Sequence, residues 1–369
     1  MIWLTWRQLR AGAAMLAAAL AALALLLAVT GPGLSDDFSK GSAACVTQND
    51  GCSQFFQTFY HDNQALFLIT AVVVMLVPAL VGLFWGAPLI ARELEAGTHR
   101  LVWNQSITRT RWLAVKLGLT GLAAMVAAGI GGLAVTWWAG PVDKAAAGNT
   151  PGFPRLGAVL FPARGIVPIG YAAFAFALGV ALGMLIRRTL PAMAITLTVF
   201  AALQVAMPLL LRPHLIPAQH SYFRIDPATN VDFMERANGG PLNLTLKAQV
   251  PTDTSAWVLS QRLVDKARHT VHGALPLAAN GPCNAPPPSQ EQNQGPQGQG
   301  PGQGQAGKTS PPGEKQCFDE IDRLGYRQEV TYQPSSRFWT FQVIETGIYT
   351  ALAALLAGFS FWWIRRRLT

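Results

Sequence analysis

Gly302 to Thr309, GQGQAGKT, has the spacing of a nucleotide-binding loop, with Gly307, Lys308 and Thr309 in the order that cradles phosphate. Such a loop works where a buried strand leads in and a helix leads out, so that backbone N–H groups and the helix N-terminus converge on the anion. Here Gln, Gly and Pro repeats precede the motif, and Ser310, Pro311, Pro312 and Gly313 follow it, where a helix cannot start cleanly. The stretch is therefore not read as a nucleotide site. His269 and His272, three residues apart, offer two metal ligands, which do not make a closed site, and they read as a solvated helix face. The chain has no GxSxG, HExxH or catalytic Cys/His arrangement, so neither catalysis nor a resident metal or cofactor is expected of it.

Polar groups inside apolar runs are the remaining candidates. Glu345 lies just inside one end of the last run, and an intramembrane carboxylate is by default a functional hypothesis. Its plainer reading is a side chain that reaches the headgroups or pairs with Arg337 two turns earlier. Gln204, in the fifth run, reads as interhelical packing before substrate contact. Four cysteines complete the set. Local pairing would join Cys45 to Cys52 and Cys283 to Cys317, the second bond tying off a Gln/Gly/Pro stretch and worth roughly 3–4 kcal/mol in the loop-entropy model. Three connectivities are open, and a crossed pairing would staple the first polar segment to the later insert.

The elements that must position these residues follow from composition. A charged fraction of 13% and a hydrophobic fraction of 51% exclude an ordinary soluble globule, in which charged residues make up about 25%. The net charge of +9 does not indicate nucleic acid, because Arg7, Arg10, Arg187, Arg188, Arg365, Arg366, Arg367 and five basic residues between 91 and 116 all flank apolar runs. That is a topology signal. Residues 1–10 form an amphipathic interfacial lead in which Trp3, Trp6 and Leu9 share a face. Ala11 to Val29 reads as a retained span rather than a signal peptide, since its apolar core exceeds the ~7–15 residues of a signal h-region. Further spans run over Ala65–Ile90, with Pro78 and Pro88 as kinks, then Leu117–Trp138, Gly165–Ile186, Leu190–Leu211 and Phe341–Ile364.

The predicted fold is an all-α polytopic membrane protein with six transmembrane helices and both termini cytoplasmic. A small α+β extracytoplasmic insert, 212–340, separates spans five and six, and 341–369 is the last span with a basic tail. Within the insert, PLNLTLKAQV and GYRQEVTY read as strands and Thr254–His272 as an amphipathic helix, while 282–312 has a composition too poor in apolar residues to order itself. All four cysteines then lie outside, in an oxidising compartment. Spans one to five occupy 11–211 and enclose a cytoplasmic elbow at 91–116, ARELEAGTHRLVWNQSITRTRWLAVK. Its helix stops at Gly97, Thr98 can cap a second short helix from His99 to Gln105, and Thr108 can cap the helix that re-enters the bilayer.

Trp3, Trp6, Arg7 and Arg10 in WLTWRQLR, Arg92, Glu93, Glu95, Gly97 and Thr98 in the elbow, QSITRTRW from Gln105 to Trp112, and YQPSSRFWTFQ from Tyr332 to Gln342 together carry a resemblance. The chain resembles the ABC-2-type permease subunits of ABC exporters. The resemblance implies that the elbow docks on a separate ABC ATPase subunit, with Arg92, Glu93, Glu95, Gly97, Thr98 and Arg100 as the coupling residues. ATP and Mg would be bound by that partner and not by this chain. It further implies a second permease subunit, forming a homodimer in the lipid bilayer of the bacterial cell membrane, and export of an unidentified substrate; a cavity lined by Ala, Leu and Val suits an amphiphilic one. The rival reading is a non-transporting sensor or scaffold whose outer domain binds an envelope ligand.

Overall fold

The computed structural model describes residues 2–45, 52–97, 108–147, 154–227, 229–236, 242–272, 275, 277, 283 and 312–366. Thr98, Arg100, the expected helix His99–Gln105 and the motif Gly302–Thr309 lie outside the described residues.

Six helices among the described residues are long and apolar enough to cross a membrane: Ala17–Cys45, Gln54–Glu95, Arg109–Trp138, Val167–Ile186, Thr189–Leu215 and Ser335–Arg366. They are called spans one to six below. The first belongs to an unbroken helix, Ile2–Cys45, so the lead and the span are one element. Its 44 residues would measure about 66 Å, roughly twice the ~30 Å of hydrocarbon they must cross. The polar segment Thr30–Gln64 is consequently mostly helical: spans one and two continue past the bilayer as a hairpin closed by the Cys45–Cys52 disulfide. Phe38 stacks on Phe56 and meets Phe59 edge-on at 5.5 Å, which gives the projecting hairpin its own apolar seam.

Span four is the axle of the bundle. Its apolar window is 72% buried, against 17–44% for the other five, so its neighbours surround it and lipid does not. In hydrocarbon, helices gain from close packing of small residues. Gly82 and Gly86 of span two pack on the backbone of Ala175, Phe176 and Gly179 of span four, and Gly183 on that of Ala87. A Cβ at Gly86 would stand 2.6 Å from the Phe176 carbonyl oxygen, and one at Gly183 2.6 Å from that of Ala87. Gly86→Val is therefore expected to lower thermal stability in detergent by about 1–3 kcal/mol through overpacking; an unchanged melting temperature would count against this crossing.

Prolines shape two spans in the same way. Gly82–Gly86 and Met207–Leu211 are single π-helical turns, and each is followed, one residue on, by a proline, Pro88 and Pro213. A proline donates no N–H, and its ring crowds the carbonyl four residues earlier. Widening the turn relieves that crowding: the Ala87 N–H bonds the Gly82 oxygen and the Arg212 N–H the Met207 oxygen. Pro88 is thus matched by a widened turn in span two, whereas Pro78 lies within the regular helix Ser53–Val81.

Between spans five and six, β1 (Gln219–Phe223), β5 (Arg327–Gln333) and β4 (Trp257–Val264) form an antiparallel sheet in the order β1-β5-β4. A hairpin of β2 (Val231–Arg236) and β3 (Leu242–Leu246) lies in the same insert. The helix Pro312–Arg323 buries Cys317, Phe318 and Ile321 in a core with Ile225, Leu263 and Leu275, and the Cys283–Cys317 disulfide anchors it. The expected helix over Thr254–His272 is corrected here: Trp257–Val264 is a strand paired along its length with β5. His269 and His272 consequently fall beyond a strand end and share no helical face.

Candidate functional site

The helical elbow ends as its residues dictate. The Ala96 N–H closes on the Arg92 carbonyl at 3.0 Å, and Gly97 takes φ +69°, a conformation that strains any residue bearing a Cβ. On the far side, Thr108 is extended and its hydroxyl accepts the Arg111 N–H at 3.4 Å, capping span three. In the last turn before the Gly97 stop, the two glutamates turn toward the bundle. Glu93 pairs with Lys116, whose side chain is 3% exposed and whose ammonium lies 4.8 Å from the centre of the Trp112 ring. Glu95 accepts the Thr189 N–H at 3.1 Å and the Thr189 hydroxyl at 2.6 Å.

Thr189 opens span five after a tight turn in which Arg187 adopts φ +56° and Arg188 is extended. The first N–H groups of a helix have no partner of their own, and that end carries the positive pole of the helix dipole. Glu95 therefore caps span five from another element. The elbow is fastened at two points, to span three through Lys116 and to span five through Thr189. Arg92 is exposed and, with Glu95, Ala96 and Thr189, lines a shallow depression.

A second polar assembly sits near the opposite ends of the spans. Arg212 and Glu345 are both fully buried and joined by a two-pronged ion pair, Nε to Oε2 at 2.9 Å and Nη2 to Oε1 at 3.1 Å. Arg212 also donates from Nη1 to the Leu156 carbonyl at 3.2 Å and covers the Phe161 ring at 4.1 Å. The Tyr171 hydroxyl donates to the same carboxylate, and the Tyr349 ring meets Tyr171 edge-on at 4.7 Å. Spans four, five and six thus meet at one charge-paired node. The expected partner Arg337 is corrected: it donates to the Pro217 carbonyl at 2.7 Å and to Gln333 Oε1 at 2.8 Å. Burial also excludes the headgroup reading of Glu345.

One turn before Glu345, Gln342 repeats the device used by Glu95. Its Oε1 accepts the N–H groups of Ile166 at 2.9 Å and Val167 at 2.8 Å, capping span four from span six. A Cβ at Gly165, whose φ is +62°, would lie 2.6 Å from that oxygen. Gln204 differs: both polar atoms of its amide are buried without a hydrogen-bond partner among the described residues.

Residues 17–212 match the family model described as ABC-2 membrane transporter related, more than half of the chain. The chain belongs to that family. It is therefore a multi-pass membrane subunit of a transporter, of a class that has no nucleotide-binding domain of its own and works with ABC ATPase subunits. No curated protein and no solved structure matches it.

The matched stretch of this ABC-2-related subunit holds Glu93, Glu95, Lys116, Thr189 and, as its last residue, Arg212; Gln342 and Glu345 lie beyond it. Glu93, Glu95 and Glu345 stand out in the sequence as candidate sites, whereas their partners Lys116, Thr189 and Arg212 do not. One signal was available for Arg212: it directly follows an apolar run and precedes a proline. Gln342 closes the YQPSSRFWTFQ stretch, and the capping geometry supplies a physical use for it.

Proposed function

We propose that this subunit is the permease of an ABC exporter in a bacterial cell membrane, driven by a separate ATPase that binds ATP and Mg. The end carrying Arg92, Arg109, Arg111, Arg187, Arg188, Arg365 and Arg366 is its cytoplasmic face, since basic residues flanking spans are held inside. The sheet insert and both disulfides then lie outside, where disulfides persist. Two copies of the chain enclose the route of an amphiphilic substrate, and export follows the resemblance to exporter permeases.

The observation that carries the reading is the double fastening of the elbow, Glu93 to Lys116 and Glu95 to Thr189. An element that only connected two spans would need neither bond. Arg92, with Gly97, Thr98 and Arg100, supplies the face that meets the ATPase, while Glu93 and Glu95 carry its displacement into spans three and five. ATP can drive transport only if nucleotide binds two global states differently, and these bonds give the ATPase a grip on two spans at once. Affinity purification of the tagged subunit from its own membranes, followed by mass spectrometry, tests the reading. A soluble Walker-type ATPase is expected to co-purify and to be lost when Arg92 is changed to Glu. A subunit that comes down without any ATPase would remove the energy source and favour the sensor reading.

A further inference from the structure

Where span three leaves the bilayer, a cavity of about 540 Å³ opens between the helix Gly140–Ala147 and the turn of the insert at 251–255. That volume lies within the ~300–1,000 Å³ typical of small-ligand sites. Thr136, Asp143, Lys144, Arg155, Asp253 and Ser335 contribute polar groups to its wall. Most of the acidic capacity is already spent. Asp143 accepts Arg164 Nη1 at 2.7 Å on both oxygens and forms a looser ion pair with Arg155 Nε at 3.5 Å, and Asp253 accepts the Ser335 N–H at 2.8 Å.

The basic capacity is only partly spent. Lys144 is exposed and makes no ion pair among the described residues. The Arg155 guanidinium, held 4.8 Å above the Phe338 ring, shares Asp143 with Arg164 and lies the farther of the two from it, at 3.5 Å against 2.7 Å. With Arg164 behind Asp143, three cations stand against two carboxylates, so the cavity favours an anion. Its depth narrows the choice. Thr136, in its wall, is two residues from the end of span three and adjoins Trp137, which is 69% exposed, and an exposed Trp at a span end marks the headgroup level.

We propose that this cavity binds the phosphate of a lipid headgroup, with Lys144 and Arg155 as its cationic partners and the Ser335 hydroxyl as a further donor. The proposal holds whichever way the subunit transports. The test is native mass spectrometry of the full chain, purified in uncharged detergent and titrated with phosphatidylglycerol, with diacylglycerol as the phosphate-free lipid and inorganic phosphate as competitor. Lys144 is exposed, so Lys144→Glu leaves the fold intact, and it is expected to weaken phosphatidylglycerol binding about tenfold, the effect of losing one hydrogen bond to a charged group. Lys40→Glu, a matched charge change on the projecting hairpin, is expected to leave binding unchanged. Diacylglycerol is expected to bind no better than to the Lys144 variant, and inorganic phosphate to compete weakly. Equal binding by wild type and the Lys144 variant, or an equal loss with Lys40→Glu, would overturn the site. Inorganic phosphate binding as tightly as the lipid would overturn the assignment to a headgroup.

Discussion

Arg212→Ala is expected to destabilise the subunit by about 3–5 kcal/mol, the cost of leaving a buried carboxylate without its counter-charge. Both members of the pair are fully buried, and Glu345 also accepts from Tyr171, so no water is at hand to take over. Glu345→Ala should cost a similar amount for the converse reason. The informative variant is the double replacement Arg212→Met with Glu345→Leu. Removing both charges of a buried pair is often close to neutral, because the desolvation penalty disappears with the attraction. The Tyr171 hydroxyl then lacks its acceptor and the Leu156 carbonyl its Arg212 donor, at about 1–3 kcal/mol each. Thermal unfolding in detergent should therefore rank the double variant above either single one. If both singles were as stable as wild type, the node would not hold spans four, five and six together.

Glu93→Ala with Glu95→Ala is expected to reduce ATP-coupled transport about tenfold, within the 5–150-fold range of ordinary coupling energies, while membrane insertion and ATPase binding persist. The two carboxylates act at different points. Loss of Glu93 takes from Lys116 the carboxylate it pairs with in a site where its side chain is 3% exposed. Loss of Glu95 uncaps span five, which costs about 1 kcal/mol in ordinary helices. Glu95→Gln separates the roles, since an amide oxygen still accepts from Thr189. That variant should transport normally, and its failure would mean that the charge of Glu95 matters and its cap does not.

Much of this architecture was legible because lipid imposes simple demands. An apolar run long enough to cross hydrocarbon has to be a helix; spans four and five end within four residues of the runs that define them, while spans two, three and six begin 11, 8 and 6 residues before theirs. The Gly97 stop and the Thr108 cap could be read because they depend on neighbours in sequence. Strand Trp257–Val264 could not. Trp257 and Val264 are spaced seven apart, which fits two helical turns, and what makes the segment a strand is its pairing with β5, some seventy residues on. The partner of Glu345 was hidden for the same reason. Arg212 is 133 residues away, whereas Arg337 is eight, yet Pro334 starts a separate turn there and points Arg337 at the strand ends. Local rules found the groups that needed partners, and only the packed bundle assigned them.

The central claim is that the elbow carries the movement of the ATPase into spans three and five. All four native cysteines are in disulfides, so introduced cysteines can be labelled selectively. Spin labels at Leu119 in span three and Leu190 in span five, both exposed, report the separation of the two helices by pulsed dipolar spectroscopy in the reconstituted complex. ATP is expected to shift that distance in the wild-type elbow and to leave it unchanged in Glu93→Ala with Glu95→Ala while the ATPase remains bound. An equal ATP-dependent shift in the double variant would show that the movement reaches the membrane by another route and would contradict the account.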